Sequence, residues 1–442
     1  MNNKKLNLFD LTSIGVGTIV GAGVFSMLGY GIAYTGRGII FALFLAMGLV
    51  VLQSVRYPIL ARVFELDGGM YAYNALTCPR VCAGFAAAND VVFKMGTQSV
   101  TVIAFAMYLE MLFPALSPYR KIVALVVLTL TYAIVIAGTK FAARVQNVMI
   151  VCMYAALGIF VVYGLMNFSP AAYAGEPMLI NGVSSFMAAT ALMSYTCNGF
   201  QYVISMGKAA QKPKRDLPLA FFLSALIAAA LYALIGFAAT HAFSYGAIAG
   251  KNLGDIAQMM MPYGLYMFFL VGGALFALGT SLVGGSSASY QPLIASAQDG
   301  WLPAILGKRT KSGIPNVLFF LYIVAVIPIV FGLDLNDMVT MQLVPLGTVM
   351  LVASACSLNV PSRFAKEWKA SGIKMSATLY KVLVMLSIVA SAILVTYSFV
   401  SNGYKIVTLA VTAGIFLYGY LRNKFGPIDI QSKKEYAEDS AK

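Results

Sequence analysis

Two interruptions rich in small and hydroxyl residues, and one pair of charges, all set inside apolar sequence, are the residues with chemistry to offer. The first interruption, residues 13–26 (SIGVGTIVGAGVFS), carries Gly15, Gly17, Gly21 and Gly23 in the middle of the first long apolar stretch. Each glycine weakens a helix by about 1 kcal/mol relative to alanine and opens backbone angles closed to other residues, so the pattern predicts a break. Inside hydrocarbon an unwound turn leaves N–H and C=O groups unpaired at several kcal/mol each, tolerable only where protein, water or a ligand fills them. A second half-helix starting about Gly23 would aim free N–H groups and the positive end of its dipole at the membrane interior, a setting for a carboxylate. The carbonyls closing the first half, around Ile19 and Val20, would suit an ammonium group or a metal cation. A zwitterion satisfies both. The competing explanation is that these glycines only allow helices to pack closely.

The second interruption lies in the sixth apolar stretch, where Ser194, Thr196, Asn198 and Gly199 occupy the centre. It reads either as an interhelical hydrogen-bonding patch or as a second break. Two broken segments at matching places in two halves point to a transporter built from inverted repeats, with its site between them. Asp90 and Lys94, in the third stretch, are spaced i and i+4 and share a helix face, so they can pair. An unpaired charge at the bilayer centre costs about 2.5–3.5 kcal/mol. The two are therefore expected either as a structural pair or as coupling or gating residues lining an inner vestibule. Hydroxyls of the eighth stretch, Ser286 and Ser287 with Ser289, Thr280 and Ser281, are weak candidates for a sodium site completed by carbonyls of the first; plain helix contacts are the alternative. No Asp or Glu falls in the middle of the first, sixth, eighth or tenth stretches. The nameable pocket side chains are Met193, Cys197, Asn198 and Phe200. A zwitterion with an uncharged remainder is expected over a ligand with a further positive charge, although a long cation could still reach Asp90.

The elements that must position these residues follow from composition. With 60% hydrophobic and 10% charged residues and a mean hydropathy of +0.82, the chain cannot be a water-soluble globule. Its apolar stretches are long enough for helical spans and too long for barrel strands. Twelve spans are expected, at about 10–35, 38–61, 83–113, 121–138, 146–167, 183–206, 217–242, 262–297, 315–333, 338–359, 378–400 and 404–421. Lysines and arginines collect in alternate loops, for instance Lys212, Lys214 and Arg215, then Arg363, Lys366, Lys369 and Lys374. This places both termini in the cytoplasm and makes the net charge of +14 a report of orientation rather than of nucleic-acid binding. The first stretch is a span and not a removable signal. Cys78 and Cys82 form a CxxxC without histidines, so all five cysteines are expected as free thiols with no metal. The single histidine, His241, is expected at a solvated outer interface, and Glu110 close to the outer surface. Glu65 and Asp67 belong to a cytoplasmic loop where they cap it or pair with Arg62. Lacking an HExxH, a nucleophile beside a base, or an acidic pair within the spans, the chain is not expected to be an enzyme or to carry a cofactor. The polar tail, 423–442, is expected to be disordered.

Four motifs in order make the chain resemble the amino acid, polyamine and organocation (APC) superfamily of permeases. They are IGVGTIVGAGVFS in the first span, ELDGGMYAYNAL at 65–76, KPKRDLPLA at 212–220, and AQDGWLPAILGK at 297–308 followed by Ile314 and Pro315. The resemblance implies an all-α integral membrane fold of the leucine-transporter type. In it twelve helices form a 5+5 inverted repeat (about 10–167 and 183–359) with helices 1 and 6 discontinuous, and two accessory helices follow (about 378–421). It implies a secondary permease moving amino acids across the plasma membrane by alternating access, as a symporter with H+ or Na+ or as an antiporter with a counter-substrate. Carried over residue by residue, it assigns the substrate carboxylate to the backbone of Ala22, Gly23 and Val24, with Thr18 and Ile19 nearby. The amino group would meet carbonyls near Ser194, Tyr195 and Thr196, and Gly199 and Phe200 would line the side-chain pocket. Three positions depart from the family pattern. Ala209 stands where many relatives carry Glu, Met153 where proton-coupled relatives often carry Lys, and Gln291 or a neighbour where an Arg is usual.

Overall fold

The structure, a computed structural model, describes residues 5–433 except 65, 67, 68, 137, 138, 208, 289 and 312. Glu65 and Asp67 thus lie outside the described residues. Regular structure is helical, with two isolated β-bridges besides.

Helix α1 (Leu8–Ile19) opens on a reciprocal cap. The Asn7 side chain accepts from Asp10 N–H at 3.0 Å, and Asp10 accepts from Asn7 N–H at 3.0 Å. It stops at Val20 and Gly21, and α2 (Ala22–Thr35) begins. Then come α3 (Ile39–Ser54), α4 (Arg56–Val63), α5 (Gly69–Thr77), α6 (Arg80–Leu112), α7 (Arg120–Ile136) and α8 (Thr139–Met166). The sixth expected span is interrupted as well: α9 (Gly182–Thr196) ends in mid-bundle, and a 3-10 turn, Phe200–Ser205, replaces its second half before α10 (Pro213–Thr240). The eighth is divided differently from expectation. A helix over Tyr263–Phe268 widens through a π segment, Phe269–Leu275, into Phe276–Ala288, while Gln291–Gln298 is a separate helix. Longer helices follow at Asn316–Phe331, Leu335–Cys356, Ala377–Ser401 and Lys405–Phe425.

Among the described residues nine helices are long and apolar enough to cross a membrane, counting the run from Gly23 to Val63 as one, and α1 and Asn316–Phe331 are shorter apolar helices. Their outward faces carry exposed apolar side chains, such as Val126 and Leu130 on α7, Val148 and Val151 on α8, and Ile323 and Val330 on Asn316–Phe331. Such a belt suits lipid and would be costly in water. The bundle is multi-pass and membrane-embedded by this measure. Within it α1 packs on α10, α2 on α9, and the 33-residue α6, about 50 Å long, crosses against both Leu335–Cys356 and the last helix.

Two expectations are corrected at the periphery. His241 is not solvated: it is 8% exposed, stacked on Phe237 at a centroid distance of 4.0 Å with Phe168 beyond. Residues 423–433, expected as part of a disordered tail, are ordered. The last helix runs to Phe425, and the chain then lies against the loop at Asp299–Trp301, where Asp429 N–H donates to the Asp299 carbonyl and Gln431 N–H to Asp299 Oδ1, both at 3.0 Å. Glu110 forms a bidentate pair with Arg120.

Candidate substrate site between two helix breaks

The glycines stand at a break in the helix and also allow close packing. Gly21 sits in extended backbone that any residue could adopt, but a Cβ there would lie 1.9 Å from Ser281 Oγ. A Cβ on Gly23 would lie 2.7 Å from Thr196 Cα, so α2 starts directly against the end of α9. Gly199 has φ +137, and its Cβ would be 2.4 Å from the Thr18 carbonyl oxygen. Only glycine meets both demands there. The two breaks therefore interlock, each occupying space that a side chain on the other would need.

Hydrogen bonds tie them further. The Tyr232 hydroxyl, from α10, donates to the Ile19 carbonyl at 2.8 Å and lies 3.2 Å from the Thr196 carbonyl. The Thr18 hydroxyl lies 2.8 Å from the Gly15 carbonyl and 3.2 Å from that of Gly199. On the α9 side, Gly199 N–H donates to Gln201 Oε1 at 2.8 Å, Gln201 donates to Asn198 at 3.1 Å, and Asn198 donates to the Ser194 carbonyl at 2.6 Å. No side chain caps α2. Its leading N–H groups are those every helix start leaves open. The Thr196 hydroxyl beside them is buried and makes no hydrogen bond among the described residues.

Between the breaks lies a cavity of about 170 Å³. Gly17, Thr18, Ile19 and Gly23 line it from the first break, and Tyr195, Thr196, Asn198 and Gly199 from the second. A polar stripe on α6 forms a third wall with Asp90, Lys94, Thr97, Gln98 and Thr101, and Thr280 and Ser281 face it from the helix Phe276–Ala288. Toward the end of the bundle that carries Gly69, Tyr71 and Pro292 the cavity continues. Further along α2, the Phe25 ring meets Tyr108 at 6.2 Å and Phe269 at 5.8 Å, and its carbonyl accepts from the Tyr108 hydroxyl at 2.8 Å. Tyr108 also lines a second cavity of about 160 Å³, together with Ser26, Tyr30 and Asp255.

The structure separates the expected site residues into two groups. Thr18, Ile19, Gly23, Tyr195, Thr196, Gly199, Asp90 and Lys94 line the cavity. Val24, Ser194 and Phe200 do not: all three are buried behind the wall, Phe200 against Phe221 at 4.7 Å. Ala22 is the first residue of α2, and its side chain lies outside the described set. Met193 and Cys197 are buried away from the cavity too, the thiol of Cys197 turned to the Leu43 carbonyl. The carbonyls of Ser194, Tyr195 and Thr196 already have partners in Asn198 and Tyr232. Ser286 is buried and accepts from Gln98 Nε2 at 3.2 Å, while the side chain of Ser287 and all of Ser289 lie outside the described residues. Asp90 and Lys94 do not form an ion pair, one of the two alternatives open for them. Lys94 instead donates to the Tyr202 hydroxyl and sits 4.3 Å from that ring's centroid, leaving the Asp90 carboxylate facing the cavity.

Gln98, Thr97, Thr101, Gln201, Tyr202 and Tyr71 were not singled out from sequence. For the α6 members a signal existed, since 90, 94, 97, 98 and 101 repeat at helical spacing on one face.

Two interlocking helix breaks beside a cavity in a polytopic bundle point to a membrane transporter. The chain belongs to the amino acid permease family, whose model matches residues 6–420. It is 25% identical over 381 residues to the branched-chain amino acid permease BcaP of Lactococcus lactis, covering 79% of both chains. To the BcaP of Bacillus subtilis it is 22% identical over 328 residues, 69% of both. It is also similar to the chloroplastic cationic amino acid transporter 9 of Arabidopsis thaliana, at 24% identity over 69% of this chain and 57% of that one.

Proposed function

We propose that this permease carries a neutral amino acid across the plasma membrane by alternating access, holding its carboxylate at the start of α2 and its ammonium group near the ends of α1 and α9. The observation that carries the reading is the uncapped start of α2 abutting Thr196, with an unpartnered hydroxyl, at the wall of the cavity. A carboxylate would be met there by N–H groups, the dipole and one hydroxyl together. Side-chain neutrality is supported by the α6 wall, where the charges of Asp90 and Lys94 stand one turn apart and offset each other. The names of the two BcaP relatives fit a branched apolar side chain against Phe93, Leu346 and Met350. Twelve spans in a 5+5 repeat with both ends cytoplasmic remain our topology, supported by the paired breaks and the loop lysines and arginines. The coupling ion or counter-substrate acts at the same cavity, with Asp90 and Lys94 the ionisable groups within its reach.

A second reading, a cationic amino acid or amine, is favoured by one observation: the Asp90 carboxylate faces the cavity without an ion pair to Lys94. Uptake by purified protein in liposomes separates them. Leucine, isoleucine or valine should accumulate and compete with one another, while arginine, lysine and putrescine should not compete. Competition by the cations alone would overturn the neutral assignment.

A further inference from the structure

Outside the cavity, the most unusual grouping of reactive side chains is a set of thiols at the end of the bundle that carries the α5–α6 turn. Cys82 lies in the first turn of α6, and Cys356 is the last residue of Leu335–Cys356. Their sulfurs are 3.7 Å apart, with Cys82 buried and Cys356 exposed. The third thiol, Cys78, is buried and committed elsewhere: it donates to the Ala353 carbonyl at 3.4 Å and lies 4.0 Å from the Arg56 guanidinium. Cations surround the group. Arg363 donates to the Thr77 carbonyl, and Lys433 is held below its ordinary value first by burial and then by the neighbouring charges of Arg363 and Arg80. An exposed thiol 3.7 Å from a second one, with cations nearby, is a geometry in which thiol–disulfide exchange can close a bond.

We infer that Cys82 and Cys356 form a reversible disulfide by exchange with a small anionic disulfide of the glutathione class, and that this cross-link restrains transport. The Cys356 thiolate attacks one sulfur of the oxidant, forming a mixed disulfide and expelling one thiolate. Cys82, losing its proton, then attacks the Cys356 sulfur and expels the second. Two protein thiols are oxidised, and one disulfide is reduced to two thiols. Closing from 3.7 Å to a bond of about 2.05 Å needs a shift of about 1.7 Å, small for two side chains at helix ends. Both tied helices are cavity walls. Asp90 on α6 lies eight residues from Cys82, about 12 Å along the axis, and Met350 lies six from Cys356, about 9 Å. Fixing their ends together opposes the relative movement that alternating access needs, a consequence that rests on the transport mechanism proposed above.

The test uses the full-length protein in liposomes, treated with oxidised glutathione, followed by peptide mass spectrometry without reduction and by leucine uptake. The expected result is a Cys82–Cys356 cross-linked peptide, removed by dithiothreitol, absent in C82S and C356S and retained in C78S. Uptake should fall several-fold on oxidation in the wild type and not in C356S. Glutathione attached without the cross-link, or a cross-link through Cys78, overturns the pairing. A full cross-link with unchanged uptake overturns the restraint. Because the peptide is read independently of transport, absence of leucine uptake in every sample would refute the substrate proposal and leave the thiol pairing still measured.

Discussion

The interlock of the breaks is most directly tested at Gly23. In Gly23→Ala the new Cβ would lie 2.7 Å from Thr196 Cα and 3.0 Å from its hydroxyl oxygen, so α2 and α9 must separate by about 0.7 Å to restore ordinary contact of about 3.4 Å. Overpacking of this kind costs about 1–3 kcal/mol. Because the strain falls between the two groups proposed to hold the substrate, we expect about 2 kcal/mol of it to appear as lost affinity, a weakening of about 30-fold. At a ligand concentration 100 times Kd, binding stabilises the native state by about 2.7 kcal/mol, and a 30-fold weaker variant at the same concentration retains about 0.9 kcal/mol. The assay is thermal unfolding in detergent with and without leucine. Gly17→Ala is the control, since a Cβ at that cavity-lining position meets nothing within 4 Å. An unchanged leucine-dependent shift in Gly23→Ala, with the protein folded, would refute the placement of the carboxylate at this helix start.

Three further outcomes are expected. Tyr232→Phe removes the hydroxyl that joins the Ile19 and Thr196 carbonyls, a loss of about 1–1.5 kcal/mol, and should raise the Kd for substrate about tenfold by calorimetry without unfolding the protein. Lys94→Met leaves Asp90 uncompensated on the cavity wall and should make arginine a measurable competitor of leucine uptake; an unchanged inhibition profile would remove the charge-balance argument. His241→Ala removes a buried ring stacked on Phe237 at 4.0 Å and should lower the melting temperature by several degrees, read by thermal unfolding in detergent; an unchanged melting temperature would show that the stack contributes nothing.

The sequence located the first break to within a residue because glycine acts locally: α2 begins at Ala22, one residue before the start expected at Gly23. Side-chain direction around the second break was not legible. Past Thr196 the backbone leaves the helical path and Gly199 turns at φ +137, so no helical period can say that Asn198 faces the cavity while Cys197 and Phe200 face away. Of the two alternatives for Asp90 and Lys94, the structural ion pair does not form, for a tertiary reason. An i, i+4 ion pair is worth only a few tenths of a kcal/mol, and Tyr202, 108 residues away in sequence, offers Lys94 a hydroxyl and a ring face in a buried setting. The tail was misjudged on average polarity, which hides Ile428 and Ile430; Ile430 is buried in a cluster with Trp301 and Tyr71.

The half-helix α2 also joins binding to access. Its first turn faces the cavity at Gly23, two residues later Phe25 packs on Tyr108 and Phe269, and Ser26 lines the second cavity. All three lie in one unbroken helix of 14 residues, so a tilt that tightens the first turn on a carboxylate also moves the Phe25 ring against Tyr108 and Phe269. Phe25→Ala should therefore uncouple the two. The ring is fully buried, and its removal costs about 3–5 kcal/mol if the gap does not collapse. In a Thr280→Cys background the new thiol lines the inner cavity. A membrane-impermeant maleimide applied from the side of Asp255 should label Cys at 280 slowly when Phe25 is present and at least tenfold faster in Phe25→Ala, read by peptide mass spectrometry. Equal labelling rates with and without the ring would show that Phe25 does not close the path.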